Sequence, residues 1–147
     1  MKQELVRDWM TKEVIRISPE TTLPKAHEMM AENNIRRLPV VDDDNRLIGI
    51  VTLGDVRGAE PSQATSLSMW ELNYLLTTVC IEELMTKNPV TIGQDATIGE
   101  AARLMLDYRI SGLPVTNQLG KLVGIITESD IFRMVVRHQW DKNAVEV

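Results

Sequence analysis

Leu38-Pro39-Val40-Val41-Asp42-Asp43-Asp44-Asn45-Arg46-Leu47-Ile48-Gly49-Ile50-Val51-Thr52-Leu53-Gly54-Asp55 and Leu113-Pro114-Val115-Thr116-Asn117-Gln118-Leu119-Gly120-Lys121-Leu122-Val123-Gly124-Ile125-Ile126-Thr127-Glu128-Ser129-Asp130 are one pattern written twice, 75 residues apart. Each reads Leu-Pro-Val, a turn, Leu-x-Gly-Ile, then Thr-x-x-Asp. The register extends without a gap over residues 10–55 and 85–130. Met10-Thr11-Lys12 meets Met85-Thr86-Lys87, and Ile17, Thr22, Ala26, Met30 and Ile35 also meet identical partners. Sixteen of 46 positions are identical, where average residue usage gives roughly three.

Each copy carries the same string of elements. A short β-rich run comes first, at residues 14–17 and 90–92. A helix follows. In the second copy Thr97 and Glu100 form a capping box, and Ile98, Ala101 and Met105 recur on one helical face. The first copy keeps Leu23, Ala26 and Met30 but has Lys25 at the box position, which predicts a weaker cap. Two strands are then predicted around each polar turn, at 35–41 with 46–52 and at 110–116 with 121–127. Beyond Thr127, the residues Ile131, Met134, Val135 and His138 predict a second helix; Gly58 and Pro61 cut its first-copy counterpart short. Between the copies, Ser68 and Glu71 open a connector helix whose Leu72, Leu75, Leu76 and Val79 predict packing on the repeats. The reading gives a first repeat at 6–58, a connector at 59–80 and a second repeat at 81–140.

Composition bounds the function. The 147 residues are 44% apolar and 25% charged, as in a globular protein. The net charge of −5 argues against a general nucleic-acid binder. A single cysteine, Cys80, excludes an internal disulfide and a cysteine-rich zinc site, and reads as a buried apolar residue. Residues 1–8 show no apolar signal core, and no apolar run approaches the ~20 residues of a membrane span. A cytoplasmic protein is expected. Asp42-Asp43-Asp44-Asn45 lacks the Gly and Glu that a calcium loop needs at its sixth and twelfth positions, which hold Leu47 and Leu53. His27 and His138 stand apart on separate predicted helices, and no metal site is expected. No nucleophile-elbow, Walker A or dinucleotide-binding string occurs. Arg133, Arg137 and His138 read as a solvated basic edge.

The doubled β-α-β-β-α unit, with Pro-Val before the hairpin and Gly-Ile-(Val/Ile)-Thr-x-x-Asp after it, resembles the CBS domain, and two in tandem resemble a Bateman module. The connector at 64–76 is similar to the acetoin-utilisation B-type branch, here expected without the ACT domain that often follows. The resemblance implies an α/β fold of two tandem CBS repeats packed through their sheets with pseudo-twofold symmetry. It implies regulation without catalysis, and no required cofactor. The implied ligand is an adenosine compound (AMP, ADP, ATP or S-adenosylmethionine) held in clefts between the repeats. A homodimer that signals to a separate regulated protein is expected. Trp70, Tyr74, Phe132 and Trp140 supply apolar surface for the dimer.

Residue by residue, the resemblance puts Asp55 and Asp130, with Thr52 and Thr127, on the ribose. A carboxylate can accept from both ribose hydroxyls in charge-assisted bonds. The same Thr-x-x-Asp spacing is also plain helix-capping chemistry. The adenine slots implied are Val14 and Ile15 facing the Asp130 half, and Pro89 and Val90 facing the Asp55 half, lined by Ile35, Ile110, Ile50 and Ile125. Phosphates fall to Arg36, Arg37, Ser111 and Gly112. Alternation along a strand lets only one of the two arginines face the ligand. Two other readings remain open: a dimeric interaction scaffold without a ligand, and a nucleic-acid-binding regulator using Arg36, Arg37, Arg133 and Arg137.

Overall fold

The computed structural model describes residues 3–60 and 68–146. In chain order the elements are α1 (Val6–Trp9), α2 (Leu23–Asn33), β1 (Arg37–Val41), β2 (Leu47–Thr52), α3 (Leu53–Ala59), α4 (Met69–Thr78), a 3-10 turn (Ile81–Glu83), β3 (Thr86–Lys87), β4 (Ile92–Gly93), α5 (Ile98–Tyr108), β5 (Gly112–Thr116), β6 (Leu122–Thr127) and α6 (Glu128–Glu146). They form two compact units. One is Ile15–Pro89; the other joins the segment up to Val14 to the chain from Val90 onward. Each holds a three-stranded sheet, β1-β2-β3 in the first and β4-β5-β6 in the second.

The 75-residue offset governs local structure in detail. Helices α2 and α5 bury Leu23, Ala26 and Met30, and Ile98, Ala101 and Met105. Thr97 and Glu100 make the reciprocal capping box, whereas Thr22 makes no side-chain cap bond. Both helices end on a left-handed residue, Asn34 at φ 52° and Arg109 at φ 55°. In the hairpin turns, Asp42 Oδ1 accepts from the amides of Asp44 and Arg46, and Asn117 Oδ1 accepts from those of Leu119 and Lys121. Asn45 and Gly120 take the left-handed position before the second strand. The acidic run 42–45 is thus a side-chain-braced turn.

The hairpins pair in matching registers, Arg37↔Thr52 through Val41↔Leu47 and Gly112↔Thr127 through Thr116↔Leu122. Their outer neighbours come from distant chain. Thr86 pairs with Ile50 in one unit, and Thr11 with Ile125 in the other. On the opposite side Val40 bridges Ile17 in parallel and Val115 pairs with Ile92. Docking bonds repeat as well. Ile81 N donates to Thr21 O at 2.9 Å and Leu23 N to Val79 O at 3.3 Å; Val6 N donates to Ala96 O and Ile98 N to Glu4 O, both at 2.9 Å. Ile81 and Val6, at equivalent positions, are completely buried. Burying a side chain of that kind stabilises by roughly 1.5–3 kcal/mol.

Two expectations are corrected. Residues 14–17 form no continuous strand, because the chain passes from one unit to the other between Val14 and Ile15; only Ile17 makes a bridge. Cys80 is half-buried, and the buried residue of that segment is its neighbour Ile81. The side chains of Leu72, Leu75, Leu76 and Trp140, on which the connector and dimer expectations partly rest, lie outside the described residues, as does Pro61. Helix α3 does stop at Ala59, soon after Gly58, while α6 runs on to Glu146.

Candidate functional site

In each unit the hairpin ends in threonine and a helix opens directly from it. In the first, Thr52 caps α3: its Oγ1 accepts from the Asp55 amide at 3.1 Å, and Asp55 Oδ2 accepts from the Thr52 amide at 2.9 Å. The start of β1 lies beside this corner, with Arg37 opposite Thr52 and the Arg36 carbonyl accepting from Leu53 N at 2.7 Å. Arg36 is exposed and Arg37 half-buried. The structure therefore gathers Arg36, Arg37, Thr52 and Asp55 at one hairpin end. Such a helix start offers amides and a partial positive charge.

The second unit places Ser111, Gly112, Thr127 and Asp130 in the same way. Gly112 pairs with Thr127, and the Ser111 carbonyl accepts from Glu128 N at 3.0 Å. The carboxylate chemistry differs. Asp130 is 5% exposed. Its Oδ2 accepts from the Thr127 amide at 2.9 Å and from the Thr127 hydroxyl at 3.2 Å. Its Oδ1 accepts from Arg133 Nη1 at 2.7 Å. Thr127 thus donates its hydroxyl to the carboxylate, where Thr52 used its own to accept. Among the described residues Asp55 Oδ1 has no partner, and the position equivalent to Arg133 is Gly58.

The residues expected around adenine fall in both units. Val14 and Val90 belong to the unit of Asp130; Ile15 and Pro89 belong to the unit of Asp55. Asn88 N donates to Ile48 O at 3.4 Å, so Pro89 follows β2 toward the end away from Thr52. Val14, Ile15, Ile35, Ile50, Pro89, Val90, Ile110 and Ile125 are all half-buried. An open hollow of about 520 Å³, lined by residues 93–96 and 116–119, sits at the turn end of the β5–β6 hairpin, opposite Asp130. Among the described residues no three His, Cys, Asp or Glu groups converge as metal ligands. His27 pairs with Glu60, and His138 Nε2 lies 2.8 Å from Glu4.

Sequence reasoning missed the Arg133–Asp130 contact, placing Arg133 on a solvated edge. The i,i+3 spacing on one helix was the available signal. Arg137 is also engaged, over the Trp9 ring at 5.9 Å.

The family model for the CBS domain matches this chain at residues 6–62 and again at 81–137. The chain belongs to the CBS domain family. It is 36% identical to a CBS domain-containing protein of Dictyostelium discoideum, across 90% of this chain and 92% of that one. Other curated relatives are much longer: the chain spans 23% of an inosine-5'-monophosphate dehydrogenase of Korarchaeum cryptofilum, at 34% identity over 84% of this chain. Among solved structures, CBSX2 of Arabidopsis thaliana in complex with AMP aligns with a TM-score of 0.80 and 28% identity, covering 92% of this chain and 99% of that one. A CBS domain pair in complex with 5'-methylthioadenosine and S-adenosyl-L-methionine aligns at 0.77 and 30%, covering 93% and 99%. A putative acetoin utilization protein of Vibrio cholerae aligns at 0.79 and 27%, covering 97% and 98%.

Proposed function

We propose that the chain is a regulatory module that binds an adenosine-containing ligand (AMP, ADP, ATP or an S-adenosyl compound) and passes its occupancy to a partner protein, without catalysing a reaction. The carrying observation is the paired corner: in each unit a hairpin ends on threonine and a carboxylate stands in the first turn of the helix that follows. Relatives of this fold hold AMP, 5'-methylthioadenosine and S-adenosyl-L-methionine, and adenosine is the chemistry these share. Asp55 and Asp130, with Thr52 and Thr127, take the ribose. The eight half-buried apolar residues, Val14, Ile15, Ile35, Ile50, Pro89, Val90, Ile110 and Ile125, supply flanking surface for adenine. Arg36, Arg37, Ser111 and Gly112 stand where phosphates extend.

A homodimer belongs to the same reading, supported by the exposed aromatic side chains Trp70 and Phe132, 86% and 63% accessible. A cytoplasmic setting suits the single cysteine. Among the described residues no helix is long and apolar enough to cross a membrane. The functional segments are a first repeat at 6–58, a connector at 59–80 and a second repeat at 81–140.

A thermal-shift panel tests the ligand. Adenosine, AMP, ADP, ATP and S-adenosylmethionine are compared with GMP. A ligand at about 100 times its Kd stabilises by roughly 2.7 kcal/mol, so one or more adenosine compounds should raise Tm while GMP does not. No shift with any of them removes the sensor reading in favour of a ligand-free scaffold. Light scattering at micromolar concentration should give two chain masses; one chain mass removes the dimer.

A further inference from the structure

We infer that the two carboxylate corners are unequal, because Arg133 is a built-in occupant of Asp130, so that Asp55 receives ligand first. This rests on the adenosine-binding reading above. A buried carboxylate must be satisfied by donors, and Asp130 is satisfied on both oxygens, by Thr127 on Oδ2 and by Arg133 on Oδ1. The guanidinium reaches in from a side chain that is otherwise 69% exposed. Among the described residues it makes no other hydrogen bond or ion pair. At the equivalent place in the other unit, Gly58 has no side chain to do this, and Asp55 Oδ1 is without a partner among the described residues. A diol that approaches Asp130 therefore competes for Oδ1 with a charge-assisted bond and offers only neutral hydroxyls. At Asp55 the diol displaces no protein donor from Oδ1. Arg133 is thus a specificity-determining residue: it grades the two corners.

Calorimetry of the full chain with AMP tests this. Wild type should show one tight event, lost in Asp55→Asn and kept in Asp130→Asn; asparagine retains the carbonyl that the threonine amide needs. Arg133→Ala should bring in a second event about tenfold tighter than any binding at Asp130 in wild type, the size expected from one charged hydrogen bond. That event should vanish in Arg133→Ala/Asp130→Asn. Two events of equal affinity in wild type overturn the inference, as does an Arg133→Ala variant whose second event is unchanged or weaker. Tight wild-type binding insensitive to Arg133 removes only this inference. No heat from wild type or Arg133→Ala, both folded by circular dichroism, with AMP or with ADP, ATP or S-adenosylmethionine in its place, removes the adenosine reading along with it.

Discussion

Met10 Sδ lies 2.5 Å from where a Cβ on Gly124 would stand, and the carbonyl of Thr11 lies 3.0 Å from the same point. Met85 and the carbonyl of Thr86 crowd Gly49 in the same manner. Neither glycine has a positive φ. The missing Cβ, and not backbone freedom, selects glycine there, because a strand from far along the chain runs across it. Gly124→Ala should destabilise by about 1–3 kcal/mol in urea unfolding. In a Met10→Ala background the added cost should shrink, since the flexible thioether is then gone. Fully additive costs would show that Met10 is not what excludes the methyl.

Asp55→Ala should weaken AMP binding by about 1.5–3 kcal/mol, the worth of a hydrogen bond to a charged group. Loss of its half of the capping box should cost about 1 kcal/mol of stability, so the fold survives. Calorimetry and a melting curve on the same sample separate the two effects. Unchanged affinity in a folded Asp55→Ala protein removes Asp55 from the ribose.

Arg36 is exposed and Arg37 half-buried, and they are adjacent at the start of β1. Single alanine variants should therefore behave differently. One should weaken ATP far more than adenosine, and the ATP affinity of wild type should fall with salt. The other should change neither. Equal losses for adenosine and ATP in both variants would remove the arginines from the phosphates.

Lys25 occupies the third helical position of α2, where α5 has Glu100. Thr22 makes no side-chain cap bond, and its counterpart Thr97 makes one in a reciprocal pair. Lys25→Gln should complete the box and stabilise by about 0.5–1 kcal/mol. A Tm equal to or below wild type would show that the completed box does not outweigh the Lys25–Glu28 ion pair that the substitution removes.

The hairpins, α2 and α5 are legible in the sequence because their signals are local: side-chain period, a capping pair, and Asp or Asn at the turn. Their duplication makes each reading a check on the other. The crossing of Thr11 to Ile125 is not legible, since pairing across most of the chain leaves no mark on local preference. Residues 14–17 read as a strand from their β-branched content, yet they span the passage between units. Of the candidate site, the Thr-x-x-Asp corners and their arginine or Ser-Gly neighbours are legible, because strand register fixes which residues meet at a hairpin end. The second partner of Asp130 is legible only as an allowed i,i+3 spacing, because side-chain rotamers decide whether the contact forms. Arg133 and Gly58 differ at one position of the repeat, and that difference carries no periodic signature.

The crossed segments bear on how the molecule can be divided. The segment ending at Val14 completes a unit built otherwise from Val90 onward, and the bonds of Val79 and Ile81 complete the unit that starts at Ile15. A single repeat excised at its sequence boundaries carries the wrong flank: it brings an α1-type segment whose docking place lies on the other half, and it lacks the one that fills its own. Two such fragments can supply each other's missing piece. An isolated half should thus be found paired by mutual strand exchange, or not folded at all.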